Sequence, residues 1–240
     1  MIIIKYQIEI SKPPDNLNVS DFVYKTIREN IINWNIKPGV MISEKGISEQ
    51  LGVSRMPVRE AFIKMTKEGL VEVLPQRGTV VSKIDLDRVE EERFIRESLE
   101  LAVLDKAMTC FPTDIIPILE QNLKHQHECI ESVDYERFLE LDQEFHRTIF
   151  YGCKREICWQ IIQDVSGHYK RIRVMTLWSK EALNALIEQH DMLLDAIKKR
   201  NIEQARFILQ KHLRKLIDEE KEMMIKYPEY FLIKDANGVI

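Results

Sequence analysis

Ser43-Glu44-Lys45-Gly46-Ile47-Ser48-Glu49-Gln50-Leu51-Gly52-Val53-Ser54-Arg55-Met56-Pro57-Val58-Arg59-Glu60-Ala61-Phe62 is the stretch on which the reading of the fold turns. Ser43 is placed to cap a helix over about 44–51, and Gly52 to close it in the left-handed conformation that follows a last turn. Ser54 opens a second helix over about 55–68, with Pro57 tolerated in its first turn and Gly69 ending it. Upstream, Ser20 is placed to cap a helix over about 21–34, with Phe22, Ile27, Ile31 and Trp34 as apolar positions, before Pro38-Gly39 forces a turn. Downstream, Val71–Leu74 and Thr79–Ser82 read as strands joined by the polar loop Pro75-Gln76-Arg77-Gly78. Three short helices and a hairpin make a winged helix-turn-helix over 19–82.

On the second helix of that motif, the 3.6-residue period gathers Val58, Ala61, Phe62 and Met65 on an inward side. Arg55, Met56, Arg59 and Lys67 lie toward the other. Arg55 and Arg59 are i,i+4 neighbours near the helix N-terminus, the end at which helix-turn-helix proteins touch base edges. A guanidinium there binds guanine in bidentate fashion or clamps phosphates. Ser54 and Met56 flank Arg55 and share that end.

Ile47 through Phe62, then Glu68-Gly69-Leu70-Val71 and Arg77-Gly78-Thr79-Val80-Val81, resemble the GntR family of bacterial transcriptional regulators, and Ile36-Lys37-Pro38-Gly39 fits that family's helix-to-turn junction. The match covers about 60 positions in order and spacing. It implies operator DNA contacts from Arg55, Arg59 and Lys45, with Arg77 and Gly78 at a wing tip approaching the minor groove. Residues 1–18 lie outside the match as an N-terminal extension with no assigned role.

Composition narrows the remaining classes. Gly and Pro number only 8 each in 240 residues, which disfavours an all-β chain rich in turns and points to a mainly α fold. The net charge of −4 excludes a wholly basic coat for nucleic acid, but residues 1–82 carry 11 Lys/Arg against 9 Asp/Glu, while the remainder is acidic. No apolar run approaches the roughly 20 residues of a membrane helix, and no charged-then-apolar leader opens the chain. Four cysteines without a C-x-x-C pair read as reduced thiols in a cytoplasmic protein.

Ser82-Lys83-Ile84-Asp85-Leu86-Asp87 marks the boundary to a second domain, 83–240, in which helical periodicity dominates. Helices are expected over about 86–109, 113–131, 134–151, 154–178, 180–199 and 202–226, with Asp87, Thr113, Asp134 and Asn201 as caps. Six helices on short turns make an antiparallel bundle, whose ligand and metal sites form from inward side chains. Asp142 and His146 project from one face at i,i+4. His190 and His212 stand 10 residues before and 12 after Arg200, so in a helical hairpin they share one height about 16–17 Å from the turn. One carboxylate and three imidazoles suit Zn, Ni, Mn or Fe with positions left open. His168 lies 16 residues beyond the Gly152 turn, against 6 for His146, and is expected to sit along the bundle from the others. His125 and His127 read as solvated.

Asp142-x3-His146 within Leu141–Phe150, Glu188-Gln189-His190, Ala205 with His212-Leu213, and Arg96-x3-Glu100 resemble the all-helical FCD effector domain of FadR-type GntR regulators. The resemblance implies a divalent metal on Asp142, His146, His190 and His212, with a small organic-acid or sugar-acid effector beside it. Lys154 stands where the family pattern often has Asn. Arg96 is the first choice for gripping an effector carboxylate, since a guanidinium matches it in bidentate geometry. His168 and Arg171 are further choices; Arg171 and Arg173, at i,i+2, face different directions, so at most one points inward. The expected function is a homodimeric, ligand-responsive regulator on a palindromic operator. A metal-dependent hydrolytic enzyme with an accessory DNA-binding domain and a dedicated metal sensor are the alternatives. Against the enzyme, the chain has no H-E-x-x-H, no G-x-S-x-G and no phosphate-binding Gly loop.

Overall fold

In the computed structural model, which describes residues 6–10, 18–132, 134–176 and 180–234, the first helix starts earlier than its expected cap. Asn18 rather than Ser20 accepts the Asp21 amide, and α1 spans Val19–Ile32. Trp34 lies beyond its end at φ 69°, a backbone state that a bulky residue adopts only when held from outside. Its indole N–H donates to the Arg171 carbonyl at 2.9 Å, and its ring packs edge-on against Tyr230.

A two-residue strand, β1 (Met41–Ile42), follows; it is too short to carry a readable alternation. Next come α2 (Glu44–Leu51) and α3 (Arg55–Lys67). Ser43 accepts the Gly46 amide, and Gly52 takes φ 65°. The hairpin is β2 (Val71–Leu74) and β3 (Gly78–Val81), and β1 pairs antiparallel with β3 to give the order β1-β3-β2. Val58, Ala61, Phe62 and Met65 of α3 are buried with Ile27, Ile31 and Ile47.

Part of the N-terminal extension belongs to this core. Ile8 is buried within it, its amide donates to Gln50 Oε1 at 3.0 Å, and the Asn30 amide group exchanges two 2.8 Å bonds with the Glu9 backbone. Tyr6, Ile8 and Ile10 alternate with the polar Gln7 and Glu9, but the segment lies outside the family resemblance, which gives it no role; its contacts with Gln50 and Asn30 are what give it one. Residues 1–5 and 11–17 of the extension lie outside the described residues.

The helical part consists of α4 (Leu86–Cys110), α5 (Ile116–Ser132), α6 (Tyr135–Gly152), α7 (Glu156–Val165), α8 (Gly167–Thr176), α9 (Lys180–Lys198) and α10 (Ile202–Lys226). Asp85 rather than Asp87 tends the start of α4, accepting the Asp87 amide at 3.2 Å. Asp134 caps α6 as its position suggests, and Asn201 accepts the Gln204 amide at the start of α10. The single helix expected over 154–178 is two, broken at Ser166 (φ −100°, ψ 32°); its last two positions lie outside the described residues. At the break Gly167 packs so closely that an added Cβ would stand 2.8 Å from a Leu70 methyl carbon.

Two compact units result. The first comprises the chain up to Val89 with Gly167–Ile172 and the stretch from Met223 onward; the second comprises Glu90–Ser166 and Arg173–Glu222. The second unit's core joins Val103, Leu104, Phe145, Ile149, Leu193 and Leu209. A smaller apolar cluster holds Phe138, Leu141, Leu186 and Ile187.

Two outcomes follow from this geometry. Lys154 adopts φ 55° between α6 and α7, and left-handed backbone costs an ordinary L-residue about 1–2 kcal/mol, less for Asn. Lys154→Asn is expected to raise stability by roughly 0.5–1 kcal/mol in urea unfolding, with Lys154→Gly showing whether the gain comes from backbone conformation. His168 is buried, and burial, then the Arg171 guanidinium, push its pKa down to about 2. The folded chain thus holds it neutral while the unfolded chain protonates it near 6.5. Its contribution is present above pH 6.5 and is lost progressively as pH falls below that value. His168→Gln is expected to flatten that part of the stability–pH profile, read as the urea midpoint from pH 7 to 5.

Candidate metal centre and nucleic-acid face

Helix α6 carries Asp142 and His146 one turn apart on its buried face, between Leu141 and Phe145. His190 follows Leu186 and Ile187 on the buried stripe of α9, and His212 lies between Leu209 and Leu213 on α10. The apolar period that buries each helix therefore carries these four polar residues inward with it. All four are buried, and one ligand atom from each lies within 4.8 Å of the others. His190 and His212 have ring centroids 4.6 Å apart, as their equal height above the α9–α10 turn requires.

Each imidazole is held by its outer nitrogen. His190 Nδ1 lies 2.8 Å from Gln126 Oε1, His212 Nδ1 lies 3.0 Å from Gln189 Oε1, and His146 Nδ1 lies 2.7 Å from Glu100 Oε2. The Gln126 orientation is dictated from behind. Asn122 donates to the Leu141 carbonyl at 3.0 Å and accepts from Gln126 Nε2 at 2.7 Å, so Gln126 turns its oxygen toward His190. His190 then carries its proton on Nδ1, and Nε2 presents a lone pair to the centre.

The centre is short of donors. Neither Asp142 carboxylate oxygen nor His190 Nε2 makes a directed hydrogen bond, although all are buried. Arg173 Nη2 stands 2.9 Å from Asp142 Oδ2 as an ion pair, and His190 Nε2 stands 3.5 Å from Oδ1. His146 Nε2 and His212 Nε2 face each other at 3.2 Å. Two inward lone pairs at that separation require a positive species, a proton or a metal ion, among them.

Electrostatics sort the members into ionised and neutral. Burial alone would raise the Asp142 carboxyl, but Arg173 and the histidines outweigh it and hold it well below the carboxylate range. For Glu100, burial is likewise outweighed, by His146 and Arg96, leaving its pKa at about 2. Burial pushes His190 down to about 3 against the pull of Asp142. Burial, with His190 and His146 nearby, also drives His212 well below its ordinary value. An ionised carboxylate beside imidazole nitrogens is the donor set a borderline divalent cation takes.

The other residues singled out for an effector divide. Arg96 is buried, and its Nε donates to Glu100 Oε1 at 2.6 Å, one step from His146. His168 and Arg171 are not brought to the cluster; both belong to the first unit. Nε2 of His168 lies 3.0 Å from the Gly69 carbonyl, and Arg171 Nη1 donates to the Ser82 carbonyl at 2.7 Å. The count from the Gly152 turn sets His168 along the bundle from His146, and the structure bears that separation out; Arg171, offered as an effector residue, turns instead to the Ser82 carbonyl. Arg173, not Arg171, is the arginine of the pair that reaches the site. Sequence reasoning missed Gln126, Gln189 and Asn122, whose only signal is a polar residue on an otherwise apolar stripe. His125 and His127 are outside the cluster, the latter bonding Asp191 at 2.9 Å on the surface.

On the winged domain, Lys45, Ser54, Arg55, Met56, Arg59, Arg77 and Gly78 are all exposed. Arg59 is the most defined: its Nε and Nη2 donate to the two Glu44 oxygens at 2.8 and 2.9 Å, fixing the guanidinium against α2. Lys45 stands 3.8 Å from Glu49. At the wing tip Gln76 (φ 59°) and Gly78 (φ 111°) both take left-handed backbone, which turns the loop tightly and leaves Arg77 outward.

Known proteins align with both halves. The model for bacterial regulatory proteins of the gntR family matches residues 19–81, and that for the FCD domain matches 93–215. The HTH-type transcriptional repressor RspR of Escherichia coli (strain K12) is 32% identical over 213 residues, covering 89% of this chain and 93% of that protein. The HTH-type transcriptional regulator McbR of the same strain is 26% identical over 179 residues, covering 72% and 80%. The solved structure of E. coli McbR/YncC shares the fold, with a TM-score of 0.72 at 22% identity over 90% of this chain and 100% of that one. A winged helix-turn-helix followed in order by an FCD effector-binding domain places this chain in the gntR family of bacterial regulatory proteins, as a transcriptional regulator.

Proposed function

We propose that this regulator acts as a homodimer on a palindromic operator in the cytoplasm, and that its helical domain binds a divalent cation, zinc before nickel, manganese or iron, beside which a small organic or sugar acid acts as effector. The observation that carries the reading is the set of four buried donors, Asp142 with three imidazoles, within 4.8 Å. Outer partners hold the histidines so that Nε2 faces the centre. Asp142 and the Nε2 atoms of His146, His190 and His212 would hold the ion, whose remaining positions are open to a carboxylate oxygen. Gln126, Gln189 and Glu100 orient the rings, and Arg96 braces Glu100.

One observation favours a second reading, in which the cation is itself the signal. The cavity between Glu100, His146 and the aliphatic chains of Leu104, Ile149 and Leu193 measures about 10 Å³, about the least that holds one water. An organic acid enters there only if the surrounding side chains move. A hydrolytic role finds less support, since the gntR-family and FCD matches point to a transcriptional regulator. Among the described residues no helix is long and apolar enough to cross a membrane.

On DNA, Arg55 and Arg59 are assigned to base edges or phosphates, Lys45 to the backbone, Ser54 and Met56 to their margins, and Arg77 with Gly78 to the wing contact. One helix-turn-helix reads few base pairs, and a two-fold pair supplies the rest.

Elemental analysis of the purified protein is expected to find about one metal per chain, lost in His190→Ala and His212→Ala. Chelation is expected to lower stability by about 3 kcal/mol when free metal had stood near a hundred times its Kd. Absence of metal after incubation with zinc, nickel or manganese removes the site while leaving the DNA reading intact. Separately, Arg55→Ala and Arg59→Ala are each expected to weaken binding to an operator selected from random duplexes by about 1–3 kcal/mol without changing the thermal midpoint. Unchanged gel shifts for both overturn that assignment.

A further inference from the structure

Arg59 stands in the second turn of α3, exposed and near the helix N-terminus. Its Nε and Nη2 donate to the two carboxylate oxygens of Glu44, the first residue of α2, at 2.8 and 2.9 Å. Both side chains are open to water, 62% exposed for the arginine and 30% for the glutamate, and a pair in that setting adds little to stability. What the pair does fix is direction. A guanidinium is a planar fork of N–H groups with two edges that can each donate a parallel pair of hydrogen bonds. Glu44 occupies the edge made by Nε and Nη2. The adjoining edge, Nη1 with the second Nη2 proton, has no partner among the described residues. Glu44 is itself well placed to do this, since Ser43 caps α2 directly before it and the first turn of a helix favours a carboxylate.

We infer that Glu44 determines operator specificity: by holding Arg59 along one edge it commits the other edge to a single guanine and keeps the guanidinium off the phosphates. Resting on the DNA reading above, this assigns Arg59 to a base rather than to the backbone. Two parallel donors in one plane match the O6 and N7 acceptors that only guanine presents side by side in the major groove. A long side chain free to swing reaches base and phosphate alike, whereas one already oriented loses less freedom in making a single directed contact. Charge acts in the same sense. Attraction to phosphates follows the positive charge available to neutralise them, and the Arg59–Glu44 pair carries no net charge. Its free edge still donates two hydrogen bonds from an ionised group. The Arg59 hydrogen bonds lower the Glu44 carboxyl from its ordinary value, so the pair is ionised at neutral pH. Glu44 is a positioning residue here and touches no base itself.

Selection of the full-length protein against random duplexes, read by sequencing, tests this. Wild type is expected to select sites in which one G·C pair is preferred by about tenfold or more through Arg59. Arg59→Lys, which keeps the charge but not the fork, is expected to lose that preference. Glu44→Ala and Glu44→Gln are expected to flatten the same preference and to bind unselected duplex more tightly. Both are also expected to steepen the fall of log K with log salt by about 0.9, as one released charge takes up a phosphate. Glu60→Gln removes an equal charge from the next residue, whose carboxylate bonds Ser20 instead, and is expected to keep every base preference. Retention of the guanine preference in both Glu44 variants overturns the inference and spares the DNA reading, as does its loss in Glu60→Gln, which would make the effect one of charge alone. Failure of wild type to select any sequence overturns the DNA reading and this inference together. Should Glu44→Ala not fold, Glu44→Gln decides by itself, since it keeps the size of the side chain and gives up one of the two acceptors.

Discussion

A carboxylate buried with three imidazoles in an apolar bundle needs positive charge close by, and that requirement organises the second unit. Asp142 obtains it from Arg173 at 2.9 Å, and without such a partner an isolated buried carboxylate costs several kcal/mol. The surrounding polar residues make sense in that light. Glu100, Gln126 and Gln189 each hold the outer nitrogen of one histidine, Asn122 fixes Gln126, and Arg96 braces Glu100. Removing any of them leaves a buried polar atom without a partner, which penalises a dry core more than the hydrogen bond had stabilised it.

The winged unit depends on a different economy of contacts. Its core rests on α1 and α3, each of which contributes several apolar residues, and the segment around Ile8 adds one from upstream. The face proposed to meet DNA is polar and exposed, but its geometry is not left loose. Glu44 holds Arg59 in a two-point grip, and left-handed backbone at Gln76 and Gly78 sets the wing loop. A guanidinium already held in one orientation loses less freedom on meeting a base or phosphate.

Helix α8 contributes residues to both units, Gly167–Ile172 to the first and Arg173–Thr176 to the second. Its start is dictated by a close approach, Gly167 against Leu70, and its course by two arginines whose partners could hardly differ more. One meets a backbone carbonyl in the hairpin region, the other a buried carboxylate. The helix also holds two residues offered for an effector, His168 and Arg171, that belong to the first unit rather than to the cluster; the count from the Gly152 turn already sets His168 apart from His146.

Local chemistry made most elements readable from the residues alone. Ser43, Gly52 and Gly69 bound their helices through caps and left-handed turns, and the i,i+4 spacing of Asp142 and His146 put both on one face. The hairpin count put His190 and His212 at one height. Those features depend on neighbours within a few residues, so the periods of the backbone carry them. Other features needed distant partners. Ile8 gains meaning from Gln50 and the α1 core, β1 from β3, Trp34 from Arg171, and Gln126 from a histidine on another helix. The choice between Arg171 and Arg173 was of the same kind. Spacing established that they diverge, but which of them met Asp142 depended on where the chain broke and what packed at the break, and long-range packing settles such questions.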